Sequence, residues 1–159
     1  VDLVVNADNI YVVGVRRSFA VADYLVYNLQ HTNKRIHLIS GLGGRKGIRD
    51  HAIKSAELIT GMNPEYASFL TLRLYEGTEM NEEVKRGDME LITPDEIVEE
   101  MELFLKNVDS PGTVFRTNHA SNYVVLAGNL NEDIPRMLGE LEEAKEEQRY
   151  RLEEWRRHI

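Results

Sequence analysis

The chain has 159 residues, with 42% hydrophobic and 29% charged residues, which is the length and composition of one globular domain with a core of its own. It contains no cysteine, which excludes disulfide scaffolds, thiolate zinc sites, cysteine nucleophiles and cysteine-held iron–sulfur clusters together. The net charge of -8 argues against a binder of the nucleic-acid backbone, whose footprint is basic. The charge is uneven: residues 1–60 carry 8 Lys/Arg against 5 Asp/Glu, whereas residues 61–159 carry 11 against 22.

Apolar runs such as Ile10 to Val15 are strand-length, far below the roughly 20 residues that span a bilayer. With no signal-type stretch at the start, a cytoplasmic protein with no membrane partner is expected. In chain order, Ile10 to Gly14 reads as a strand buried on both faces. A helix capped by Ser18 follows, with Phe19, Ala22, Leu25, Val26 and Leu29 at helical spacing. Ile36 to Ile39 is a second strand, completing a β-α-β unit. After Gly41-Leu42-Gly43-Gly44, residues Ala52, Ile53, Ala56 and Ile59 mark a helix closed at Gly61. Tyr66 to Leu74 reads as a third strand, ended by Gly77.

Thr93-Pro94-Asp95-Glu96 is a helix start with a hydroxyl cap, an early proline and a glutamate placed to close a capping box. Ile97, Met101, Phe104, Leu105 and Val108 form its apolar stripe. Pro111-Gly112 is a turn and Thr113 to Arg116 a fourth short strand. A last helix begins near Asn131, with Ile134, Met137, Leu138, Leu141 and Ala144 on one face. Its charged continuation pairs Glu147 with Arg151 and Glu153 with Arg157, and Leu152 and Trp155 dock it. This alternation predicts a single α/β domain with a parallel sheet of about four strands and helices on both faces. A flavodoxin-like or Rossmann-like winding and a half barrel share these local units.

Three loops could carry chemistry. Gly14, Arg16, Arg17 and Ser18 lie between a strand and a helix, where backbone amides and the helix dipole favour a phosphate. A capped βα turn with two solvated arginines accounts for the same residues. Gly41, Gly43 and Gly44 occupy the equivalent position after the second strand, at the rim where open α/β sheets bind ligands. This loop lacks the Lys-Ser/Thr ending of a P-loop, and a plain turn is the alternative. Asn118, His119, Ser121 and Asn122 form a polar rim after the fourth strand. His119, with Glu76, is the candidate for acid–base work, against a structural histidine. No metal-ligand spacing is present.

Ile10 to Tyr27, continuing to Arg35 to Ile39, resembles the opening β-α-β of the sugar-isomerase (SIS) domain of RpiR-type transcription regulators, over about the first 40 residues. The resemblance implies phosphosugar binding at the first turn, with Ser18 matching the motif serine and Arg16 replacing a glycine. The helix-turn-helix of those regulators is absent, so the resemblance implies no repressor role and no nucleic-acid partner. From Gly41 onward the wording changes. Gly41 to Gly44, Asp50 to Ile53, Asn63 to Tyr66, Thr71 to Thr78 and Phe115 to Tyr123 look like the C-terminal half of a radical S-adenosylmethionine enzyme, a partial βα barrel.

That family's CxxxCxxC motif is missing, so this resemblance implies no iron–sulfur cofactor and leaves at most residual affinity for S-adenosylmethionine or phosphate. The two resemblances meet near residues 39–44. Together they imply an engineered or recombined chimera without catalysis, with a small phosphate or phosphosugar-binding module as the alternative. Apolar faces left open by a half barrel predict a homodimer.

Overall fold

The computed structural model describes residues 9–11 and 35–151. The expected Ser18 helix and the residues following Arg151, including Leu152 and Trp155, lie outside them. Two strands rich in β-branched and aromatic residues, β2 (Arg35–Ser40) and β3 (Tyr66–Thr71), form the centre of a five-stranded sheet. β1 (Asn9–Tyr11) pairs with β2, and β4 (Val114–Arg116) with β3, all in parallel. β5 (Ala127–Asn129) closes the edge antiparallel to β4. The spatial order is β1-β2-β3-β4-β5. The anticipated α/β sheet with flanking helices is therefore present, and its described strands follow one another without the order reversal of a doubly wound sheet.

Between β2 and β3 runs α1 (Gly44–Met62). It stops at Asn63, in the left-handed region with φ 43°, whose N–H donates to the Ile59 carbonyl; Gly61, expected to end the helix, lies inside it. Pro64 follows and cannot continue the helix. β3 is shorter than the apolar run suggested, because Leu72 to Leu74 leave the ladder after Leu72 N–H donates to the Ser40 carbonyl. A short helix that hydrophobic period did not reveal, α2 (Glu79–Arg86), starts at a Thr78 cap and stops at Gly87. It buries no residue, so it carries no apolar stripe to detect.

α3 (Pro94–Asn107) starts as predicted: the Thr93 hydroxyl accepts from Glu96 N–H, and the Glu96 carboxylate accepts from Thr93 N–H. α4 (Ile134–Glu146) ends before the charged continuation, where Gln148 turns at φ 52°. Glu147 pairs with Arg149 rather than Arg151, whose guanidinium instead donates to the Asn118 and His119 carbonyls. No described helix is long and apolar enough to cross a membrane.

Leu38, Ala67, Phe69 and Phe115 project from the strands into one cluster with Ala56 and Ile59 of α1, Ile97, Met101 and Phe104 of α3, and Met137 and Leu141 of α4. Phe69, Phe104 and Phe115 meet with ring centroids 4.7 to 5.6 Å apart. The alternate residues Ile39, Leu70, Val114 and Arg116 are only half-buried. Helices were expected on both faces; α1, α3 and α4 pack against this cluster, and the segment of the expected Ser18 helix lies outside the described residues.

Candidate functional site

The carboxyl ends of β2, β3 and β4 share one rim, and three connections leave it: residues 41–43, 72–78 and 117–126. Gly41 and Gly44 have positive φ, 86° and 58°, and the turn closes with Gly44 N–H donating to the Gly41 carbonyl. The backbone is tightly packed here. A Cβ on Gly43 would lie 2.9 Å from the Gly47 backbone, and one on Gly44 3.0 Å from the Glu90 carbonyl oxygen.

Three amides at this loop, those of Gly41, Gly44 and Arg45, meet acceptors of the protein itself. Gly41 N–H donates to Glu100 Oε2 at 2.8 Å, and Arg45 N–H to the Glu90 carbonyl at 3.0 Å. Glu100, on α3, is 1% exposed, and its Oε1 lies 2.5 Å from His51 Nδ1 on α1. A buried carboxylate thus stands before the glycine turn and ties it to two helices. Arg45, the first side chain beyond the glycines, bonds Glu90 and reaches Glu96 at 2.7 Å. The Glu96 carboxyl is held below its ordinary range, chiefly by that guanidinium and then by the Thr93 amide.

The loop after β4 is built on a second buried network. Ser121 Oγ accepts Thr71 N–H at 3.0 Å, and Asn122 Oδ1 accepts the Thr71 hydroxyl at 3.0 Å. The Asn122 amide donates to the Phe69 and Thr117 carbonyls. Asn122 is fully buried and Ser121 2% exposed, so these groups lock loop to strand. Asn118 and His119 are exposed. His119 Nδ1 accepts the Ser121 N–H at 3.2 Å and lies 2.9 Å from Ser121 Oγ. An accepting Nδ1 places the neutral ring's proton on Nε2, so the serine hydroxyl donates to His119 while accepting from Thr71. The serine is thereby engaged on both sides, in a loop staple.

The structure therefore brings Gly41, Gly43 and Gly44 together as one bracket and Ser121 and Asn122 together as another. Gly14, Arg16, Arg17 and Ser18 lie outside the described residues. Glu76 is exposed, and the described side-chain bonds of His119 go to Ser121. Glu100 was missed, although the signal was present: it sits between Ile97, Met101 and Phe104 on the apolar stripe of α3, where a carboxylate needs a buried partner. His51 and Thr71 carried no comparable mark. Among the described residues no three His, Asp or Glu come together in a group able to hold a metal. No family model, curated protein or solved structure matches the chain.

Proposed function

We propose that the chain is a non-catalytic α/β scaffold, a chimera of a sugar-isomerase fragment and a radical S-adenosylmethionine half barrel, engineered or recombined near residues 39–44. The observation that carries this reading is the occupation of the Gly41–Gly44 turn by the Glu100 carboxylate. A ligand-binding turn needs vacant amides, and here the amides of Gly41, Gly44 and Arg45 are all engaged internally. The polar residues after β4 are likewise engaged with β3.

Titration of the full chain with S-adenosylmethionine is expected to give no saturable heat. Glu100→Ala is expected to cost about 3 kcal/mol, because it leaves the Gly41 amide and His51 facing an unfilled buried position. Saturable S-adenosylmethionine binding that disappears in Glu100→Ala at a temperature where that variant is folded would overturn the scaffold reading. Sugar-phosphate binding abolished by Ser18→Ala would replace it with the phosphosugar module.

The scaffold is proposed to associate as a cytoplasmic homodimer. Among the described residues the exposed large apolar side chains are Tyr75, Leu91 and Val125. Tyr75 and Val125 belong to rim connections, and Leu91 neighbours Glu90, whose carbonyl bonds Arg45. Their exposure in and beside the rim connections supports association there.

A further inference from the structure

The rim leaves one exception to its internal pairing. Among the described residues, the buried side-chain nitrogen or oxygen atoms without a hydrogen-bond partner are Arg73 Nη1 and Asn81 Nδ2. Both are donors, and both belong to the connection that leaves β3 and enters α2. Arg73 lies two residues past Thr71, the last of β3, and Asn81 lies in the first turn of α2. Between them the chain reverses: Thr78 N–H and its hydroxyl both donate to the Tyr75 carbonyl, and Gly77 turns at φ 81°. The two orphaned donors therefore flank one hydrogen-bonded turn.

A buried guanidinium nitrogen without an acceptor is costly, more so than a neutral donor, and folded chains rarely carry one unless something else completes it. The carboxylates closest in sequence do not complete it. Glu79 pairs with Arg86, Glu82 with Lys85, Glu83 is engaged in an interaction of its own, and Glu76 is exposed. The first-turn amides of α2, the element that carries Asn81, add positive character at its start, where Asn81 N–H is already capped by Thr78. What is missing is an acceptor with negative charge and more than one oxygen.

We propose that the β3–α2 turn is a small-oxyanion site, in which Arg73 and the Asn81 amide hold a phosphate or carboxylate group. The site is separate from the Gly41–Gly44 bracket and from Ser18, and it does not rest on the scaffold reading. Arg73 supplies the charge and Asn81 the second donor, an arrangement that favours a planar or tetrahedral oxyanion over chloride.

The test is thermal unfolding and calorimetric titration of the full chain with sodium phosphate and with sodium acetate, against sodium chloride at matched ionic strength. At least one of the two is expected to raise Tm saturably beyond chloride: phosphate alone assigns a phosphate ligand, acetate alone a carboxylate. Arg73→Met is expected to weaken that binding about tenfold or more, the loss of one charge-assisted contact, without lowering the ligand-free Tm. Asn81→Ala is expected to weaken it less, and Ser18→Ala to leave it unchanged. Absence of a saturable effect from either anion would overturn the proposal, as would one undiminished in Arg73→Met or abolished by Ser18→Ala. A ligand-free Tm well below the parent in Arg73→Met would also overturn it, because Arg73 would then be held by the chain itself. The remaining possibility is that a rotated Asn81 amide accepts from Arg73; Asn81→Ala would then lower the ligand-free Tm and leave anions without effect, which overturns the proposal too.

Discussion

A glycine is informative here only where its missing Cβ is used. Gly43 is needed because the Gly47 backbone occupies the space of a side chain, whereas Gly139, inside α4, has nothing within 4 Å. Gly43→Ala is expected to destabilise the protein by about 1–3 kcal/mol, since backbone must move to admit the methyl group. Gly139→Ala is expected to stabilise it by about 0.5–1 kcal/mol through helix propensity alone. Chemical denaturation of both variants checks the opposite signs. From sequence, both read only as glycines, because a spacing does not say what approaches from elsewhere in the chain. A carboxylate gives a second example at this scale. Asp95 is held below its ordinary range by the Tyr150 hydroxyl first and the Gln148 amide second. A lowered folded-state value means stability that is present above the unfolded carboxylate range of about 3.9 and lost as pH falls through the folded value. Tyr150→Phe is therefore expected to lower stability modestly at neutral pH, by less than about 1 kcal/mol for so exposed a pair, read as a slightly lower Tm. The gap to the parent should narrow as pH is taken below about 4; a gap that widens on acidification would contradict the assignment.

Elements were legible where local chemistry repeats. α3 was readable to the residue at its start, because a capping box needs only residues three apart, and both of its reciprocal hydrogen bonds are present. α2 and β5 were not. α2 buries no whole residue and so lacks an apolar period, and β5 is a three-residue edge whose Gly128 and Asn129 carry no strand signal. The end of α4 was overextended for the opposite reason: the i,i+4 charge pairs are compatible with a helix, but they are weak, and the turn at Gln148 is tied by Arg149 N–H to the Ala144 carbonyl and by Arg151 N–H to the Tyr123 carbonyl. The elements meet most tightly at Phe104, which is fully buried and stacks on Phe115 while its ring centroid lies 4.7 Å from that of Phe69. Phe104→Ala opens a cavity between α3, β3 and β4 and is expected to cost about 3–5 kcal/mol, read as a lowered urea midpoint. An equal loss on Phe104→Leu would show that ring contacts matter more than volume.

At the scale of the whole molecule, a chain with exposed Tyr75, Leu91 and Val125 in its described connections is expected to associate. Light scattering on the eluting peak should give twice the 18.3 kDa chain mass, and Tyr75→Ser with Val125→Ser should return it to a single chain mass. A parent that elutes as 18.3 kDa at all concentrations would remove the dimer.

The sequence by itself determined the α/β class, the central strands and the start of α3, because hydrophobic period and capping are local properties of the chain. Only the tertiary structure decided the sequential strand order, the closing of the Gly41 turn onto Glu100, the Thr71–Ser121–Asn122 lock and the two donors left over at Arg73 and Asn81. Each of these depends on groups far apart in the chain, with Gly41 and Glu100 separated by 59 residues, and no local period records which distant acceptor a backbone amide meets.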